Sequence, residues 1–132
     1  MDAGTDLGEQ VQKALVAHGA WKVRLAQAID ASSSEFSPDV VRQDNQCALG
    51  KWLYEGIGPA LRHGDHYQRV RKLHAGFHIA AAGVLELGLQ GRKHEARAAM
   101  QPSSEFARAS TQLSLALTAW RAAVGSPLGS PR

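Results

Sequence analysis

The sequence predicts an all-α protein: a four-helix-bundle-like domain with an additional short helix that carries a cysteine. Three observations favour this fold. Apolar residues recur at spacings of three and four through most of the chain, which is the period of an amphipathic helix. We find no convincing segment of the alternation that is typical of a strand. Gly, Pro and Ser residues separate the periodic stretches, as expected of loops between helices.

The first periodic stretch predicts a long helix with one apolar stripe. The stripe consists of Leu7, Val11, Ala14, Leu15, His18, Trp21, Leu25 and Ile29. A Ser-rich loop over residues 31–38 follows. A short helix then contains Cys47, with Asp44 or Asn45 as its expected N-cap and Gly56 at its end.

The second half of the chain predicts a long helix from Asp65 to Gln90, which stops before Gly91. Residues 92–124 are helical again, with an interruption at Pro102, where a backbone donor is lost and the following serines can cap a new helix. We therefore expect three long helices and a fourth that is assembled from shorter pieces. Facing side chains of such a bundle can build a site in its core.

A length of 132 residues fits one domain. We expect a single domain over residues 1–124 and a disordered tail over residues 125–132, which is rich in Gly, Ser and Pro. The 15 basic and 12 acidic residues are scattered, so the net charge of +3 does not predict nucleic-acid binding. No apolar run approaches the ~20 residues that span a bilayer, and no signal peptide is evident. We expect a cytoplasmic protein without membrane contact.

Three histidines and the only cysteine form the candidate site. His74 and His78 lie four residues apart, so on a helix they share one face. His18 lies on the apolar stripe of another helix and should also point inward. Alone, each of them is more often a core residue than a ligand, and Cys47 alone could be a buried apolar residue, a ligand or a reactive thiol. Together they supply four nitrogen and sulfur donors, which is the ligand set of a closed tetrahedral zinc site.

A carboxylate-bridged di-iron bundle is the alternative metal site, but it needs inward acidic residues at helical spacing, and these are not evident. His63, His66 and His94 lie in loops or charged segments, and we expect them to be solvated. We expect Trp21, Trp52 and Phe77 to pack around the metal. Asp44 could support a ligand, although capping is its simpler role.

Four segments resemble the chemoreceptor zinc-binding (CZB) domain family, and the resemblance extends over roughly Val11 to Ala123. They read AHGAWKVRL (17–25), DNQCALGKWLYEG (44–56), LHAGFH (73–78) and SSEFARASTQL (103–113). The Cys-x-Leu-Gly-x-Trp-Leu and His-x-x-x-His motifs are its specific part. The resemblance implies that zinc is bound by His18, Cys47, His74 and His78.

The resemblance also implies a sensory or regulatory domain of bacterial signalling, of the chemotaxis or cyclic-di-GMP type, that senses zinc or oxidants acting at Cys47. It implies a homodimer. Members of the family are commonly fused to chemoreceptor or diguanylate cyclase modules. No such module occurs in this sequence, so we expect a stand-alone protein whose partner is a separate chemoreceptor or diguanylate cyclase.

Two other functions stay open at the level of sequence. The first is a structural adaptor or scaffold that zinc stabilises without sensing. The second is an enzyme that uses the histidine pair in acid–base chemistry, which we disfavour because four protein ligands leave zinc no open position for water. We therefore expect a protein without enzymatic activity.

Overall fold

The computed structural model describes residues 3–125, with side chains over residues 7–123. The all-α prediction is confirmed, and no strand occurs within residues 3–125. The α-helices are α1 (Ala3–Gly19), α2 (Trp21–Ala31), α3 (Pro38–Arg42), α4 (Ala48–Lys51), α5 (Asp65–Leu89), α6 (Lys93–Ala98) and α7 (Glu105–Gly125). A π-helical turn, Trp52–Gly56, continues α4, and a 3-10 turn, Pro59–Leu61, precedes α5.

Helices α1 and α2 form an almost continuous helix with one break at Ala20. Backbone hydrogen bonds cross the break, from Ala20 N to Val16 O (3.1 Å) and from Arg24 N to Ala20 O (3.1 Å). The apolar stripe predicted from Leu7 to Ile29 therefore remains on one side of the molecule, and both of these end residues are buried. His18 lies in the last turn of α1, directly before the break.

The bundle is built around α5, which packs against α7, α3 and α2, while α1 packs against α7. The predicted bundle-like architecture is confirmed, since three long helical segments share one apolar core and short helices complete it. The largest buried apolar side chains of this core include Leu25, Leu53, Phe77, Leu85, Phe106 and Leu117. The histidines at positions 18, 74 and 78 are the buried polar side chains among those that the structure describes.

The region around Cys47 differs from the prediction in two ways. Residues 38–42 form α3, a helix that was not predicted from the sequence, because the Ser37 hydroxyl accepts a hydrogen bond from Val40 N (3.2 Å) and Pro38 suits the first helical turn. The predicted N-cap of α4, Asp44 or Asn45, is wrong. Cys47 itself is the N-cap, and its Sγ accepts a hydrogen bond from Gly50 N at 3.4 Å.

The predicted disordered tail lies outside the described residues, except for Gly125 at the end of α7. Among the helices that the structure describes, none combines the length and the apolar character needed to cross a bilayer.

Candidate metal centre

The four side chains predicted as metal ligands come together in the bundle. Their donor atoms all lie within 4.8 Å of one another. His18 extends from the end of α1, Cys47 from the turn before α4, and His74 and His78 from successive turns of α5. The three imidazoles are buried, whereas Cys47 is half-buried. Residues that are up to 60 positions apart thus converge, because the end of α1 and the Cys47 turn both lie beside His74 and His78 of α5.

The spacing of the donors fits a tetrahedral zinc ion. Ordinary zinc bond lengths place a sulfur about 3.6 Å from a nitrogen of the same shell, and two nitrogens about 3.4 Å apart. Cys47 Sγ lies 3.2 Å from His74 Nε2, 3.5 Å from His78 Nε2 and 4.0 Å from His18 Nε2. The Nε2 atoms of His74 and His78 are 3.0 Å apart. Only small side-chain rotations, largest for His18, separate this arrangement from a zinc shell.

Two of the imidazoles are oriented by backbone carbonyls. His18 Nδ1 donates to Ala14 O at 2.7 Å, and His78 Nδ1 donates to Val41 O at 2.9 Å. A carbonyl oxygen can only accept, so each ring carries its proton on Nδ1. The lone pair on Nε2 is then directed at the shared centre, which is the tautomer that a metal ligand needs.

His74 lacks such support. Its side chain is fully buried, and its Nδ1 has no hydrogen-bond partner among the described residues. Binding a metal through Nε2 would place the proton of the neutral ring on this Nδ1, where a buried N–H without an acceptor is unfavourable. His74 is therefore the least supported of the three imidazoles.

Gly50 makes the tight turn at Cys47 possible. A Cβ atom on Gly50 would lie 1.7 Å from the carbonyl oxygen of Asp44, which is backbone and cannot move aside like a flexible side chain. This close approach explains physically why a glycine stands three residues after the cysteine in the Cys-x-Leu-Gly motif. The same turn brings Gly50 N to the sulfur.

Burial lowers the pKa of every imidazole in the site. It lowers the pKa of His18 to about 4, with a smaller contribution from the charge of His78, although the bond to Ala14 acts in the opposite direction. Burial lowers the pKa of His74 and of His78 as well. It raises the pKa of the Cys47 thiol, against the effect of the Gly50 N–H. At neutral pH the imidazoles are thus ready to bind a metal, and the thiol has one proton to lose.

Asp44 neither caps α4 nor contacts the donor atoms. Its carboxylate accepts a 2.6 Å hydrogen bond from the Tyr54 hydroxyl, which closes the segment between them. The Arg71 guanidinium lies 5.8 Å from the Tyr54 ring centre. The carboxylate is close enough to raise the pKa of both His78 and Cys47.

The other aromatic residues and histidines named from the sequence agree with the structure in part: Trp52 is buried against Trp120, and His66, expected to be solvated, is partly buried. Trp21, Trp52 and Phe77 are buried, and the Phe77 ring centre lies 5.0 Å from that of His18. His63 and His94 are exposed and His66 is partly buried, and none of these three joins the donor group.

Sequence reasoning missed the carbonyl groups that orient the imidazoles. Ala14 O could have been found, because it lies four residues before His18 on the same helix face. Val41 O lies on α3, a helix that was not predicted, and it is 37 positions from His78, so no sequence pattern indicated its role.

Comparisons with known proteins agree with this geometry. The family profile described as chemoreceptor zinc-binding domain matches residues 18–85, about half of the chain. The match begins at His18 and includes the other three donor residues. Neither a comparison with curated proteins nor one with solved structures finds a match. With a family that binds zinc and a donor group that suits zinc, the predicted cofactor is confirmed. The chain belongs to the chemoreceptor zinc-binding domain family.

Proposed function

We propose that the protein is a zinc-binding sensory or regulatory domain of bacterial signalling. In this proposal His18, Cys47, His74 and His78 hold one zinc ion, and the state of that site is the signal. The observation that supports it best is the convergence of these four donor atoms from three separate segments of the chain. A site that joins distant segments can couple its occupancy to helix packing.

The donor set supports binding in place of catalysis. Three imidazoles and one thiolate fill a tetrahedral shell, whereas catalytic zinc keeps one position for water or substrate. The lowered pKa values of the histidines also leave them neutral near pH 7, so they do not act as proton donors there. We therefore propose a protein that regulates and does not catalyse.

The proposed signal is a change in how α1, α3 and α5 pack. A bound zinc ion would link α1, the Cys47 turn and α5. His78 extends this link, because its Nδ1 donates to Val41 O and so ties the ring orientation to α3. Arg42, also on α3, forms a 2.9 Å ion pair with Glu86 of α5. Loss of the ligand geometry would release His78 and thereby loosen α3 on α5.

Two inputs could change the site. The first is zinc availability. The second is an oxidant such as hydrogen peroxide, since the sulfur of Cys47 can attack one peroxide oxygen, form sulfenic acid and release water. Cys47 is the most exposed of the four donors, being half-buried among buried histidines. Oxidation would weaken its bond to the metal.

The proposal extends to partners, location and domain limits. We propose a homodimeric protein of the cytoplasm with one domain over residues 1–124. Its output partner would be a separate chemoreceptor or diguanylate cyclase. Family membership supports a signalling context, and mass determination by light scattering would test the dimer.

The central experiment measures zinc and its release. Elemental analysis of the purified protein should give one zinc per chain, and peroxide should release it to a chromogenic chelator. Cys47→Asp is the matched control, because a carboxylate can bind zinc but is not oxidised by peroxide. Protein without zinc would overturn the metal assignment. Equal peroxide release from Cys47→Asp would overturn the role of Cys47 as the oxidant-sensitive ligand.

A further inference from the structure

A cavity of about 230 Å³ lies between α2, α3 and the Cys47 turn, next to the metal centre. The metal ligands Cys47, His18 and His78 form one side of it. The other lining residues supply no donor atom to the proposed zinc site. They include Trp21, Arg24, Phe36, Val40 and Val41.

The outer walls of the cavity are apolar and partly aromatic. The ring centres of Trp21 and Phe36 are 5.3 Å apart, and Trp21 and Val41 are buried. Val40 keeps 46% of its surface exposed at the rim. Gln43 and Gln46 also line the cavity, but the Trp21 and Phe36 rings offer water no strong hydrogen bond, so an apolar group gains by displacing water from these rings. Pockets for drug-sized ligands span roughly 300–1,000 Å³, so the occupant must be smaller than these.

Arg24 supplies a positive charge at this cavity. Its guanidinium carbon lies 5.3 Å from the Trp21 ring centre and 5.5 Å from the Phe36 ring centre, within the range of a cation–π contact. Within the described part of the chain it forms no ion pair. Glu35 lines a neighbouring hollow that Arg24 also borders, and it is the acidic group that would oppose an anion there.

We propose that this cavity binds a small organic anion. Its apolar or aromatic body would pack on Trp21 and Phe36, and its anionic group would pair with Arg24. An occupant of this kind would also cover the exposed side of Cys47. The site goes beyond the zinc centre, since the residues that would recognise the anion lie on α2 and in the loop before α3 and bind no metal.

Benzoate and its neutral analogue benzyl alcohol are suitable probes, titrated into zinc-loaded protein and followed by two-dimensional NMR. Benzoate should bind with a Kd of about 1 mM, as expected for so few atoms. It should shift the Trp21 indole and Cys47 amide signals while leaving the Trp120 indole unchanged. Benzyl alcohol should bind more weakly than benzoate. Added salt should lower the affinity for benzoate but not the affinity for benzyl alcohol.

Three variants test whether benzoate binding depends on the charge of Arg24 itself or on the net charge of this part of the surface. Arg24→Gln should weaken benzoate binding about fivefold to tenfold. Lys22→Gln, which removes an equal charge from an exposed position of the same helix, should leave it unchanged. Glu35→Gln should strengthen it.

Equal affinities for the two probes, or equal effects of Arg24→Gln and Lys22→Gln, would overturn anion recognition at this cavity. Shifts confined to residues outside the cavity would do the same. Zinc content is measured on each sample, so that loss of the metal centre is distinguished from failure of the anion site.

Discussion

The Nε2 atoms of His74 and His78 lie 3.0 Å apart in the core of the bundle. Two nitrogen lone pairs repel each other at this distance unless a proton or a cation lies between them. His78 carries its proton on Nδ1, where it donates to Val41 O, so the shared proton of the metal-free pair must come from His74. A zinc ion would replace that proton and send it to the unpartnered Nδ1 of His74. The short distance between the two Nε2 atoms thus favours zinc binding, whereas the buried N–H of His74 that zinc binding would create slightly opposes it.

Removing one ligand should weaken zinc binding far more than removing a histidine outside the site. Cys47→Ala should lower zinc affinity by more than about a hundredfold, because losing a group that merely orients a ligand already costs about 10–100-fold. His63→Ala and His94→Ala are controls, since both side chains are exposed and lie outside the donor group. Competition with a chromogenic chelator measures all three. Similar losses in the three variants would show that the ligands are wrongly assigned.

The pH dependence of zinc binding should reflect proton loss from the Cys47 thiol and not from the imidazoles. The raised pKa of Cys47 keeps the thiol protonated near neutral pH, so zinc must displace one proton. The lowered pKa values mean that the histidines bring no further proton, since His18 titrates at about 4. Affinity should therefore rise about tenfold per pH unit between pH 6 and 8.

Isothermal titration in two buffers of different ionisation enthalpy would count the released protons. The expected value is one per zinc for the unchanged protein and none for Cys47→Ala. A slope that steepens toward several protons below about pH 6.5 would mean that the imidazoles keep their ordinary pKa.

Sequence periodicity was sufficient for the long helices and for the inward direction of His18, His74 and His78, since both depend on local spacing. Between residues 31 and 56 it indicated the loop and a short helix that ends at Gly56, but it predicted neither α3 nor the cap at Cys47. The Ser37 cap with Pro38 and the Cys47 cap with Gly50 are local features that helical periodicity does not detect. The carbonyl of Val41 orients His78 across 37 positions, so its role depends on tertiary packing.

Gly50→Ala should damage the site although the residue binds nothing. The new Cβ would overlap the carbonyl oxygen of Asp44, so the turn that positions Cys47 must open. We expect a loss of about 1–3 kcal/mol in unfolding free energy, as for an overpacked core, together with weaker zinc binding. Denaturant unfolding and chelator competition measure the two effects.

The matched control is Gly76→Ala. This glycine lies between His74 and His78 on an exposed face of α5, with open space at its Cβ position. Alanine there should stabilise the helix by about 0.5–1 kcal/mol and leave zinc affinity unchanged. Gly50→Ala protein with unchanged stability and zinc affinity would refute the role assigned to this close approach.

Removing zinc should loosen the bundle without unfolding it. The core contains large apolar side chains on α1, α2, α5 and α7 that bind no metal, so helix packing does not depend on the metal alone. After chelation, most of the far-UV helical signal should remain. Amide hydrogen exchange should increase at three segments, around His18, around Cys47 and from His74 to His78, because these are the segments that zinc would join. Exchange should also increase in α3, through the bond from His78 to Val41. The C-terminal half of α7, far along the chain from every ligand, is the internal control.

A sensor needs two folded states that a partner can distinguish. Complete loss of helicity would favour the structural scaffold, and unchanged exchange in all of these segments would remove the physical basis of the switch.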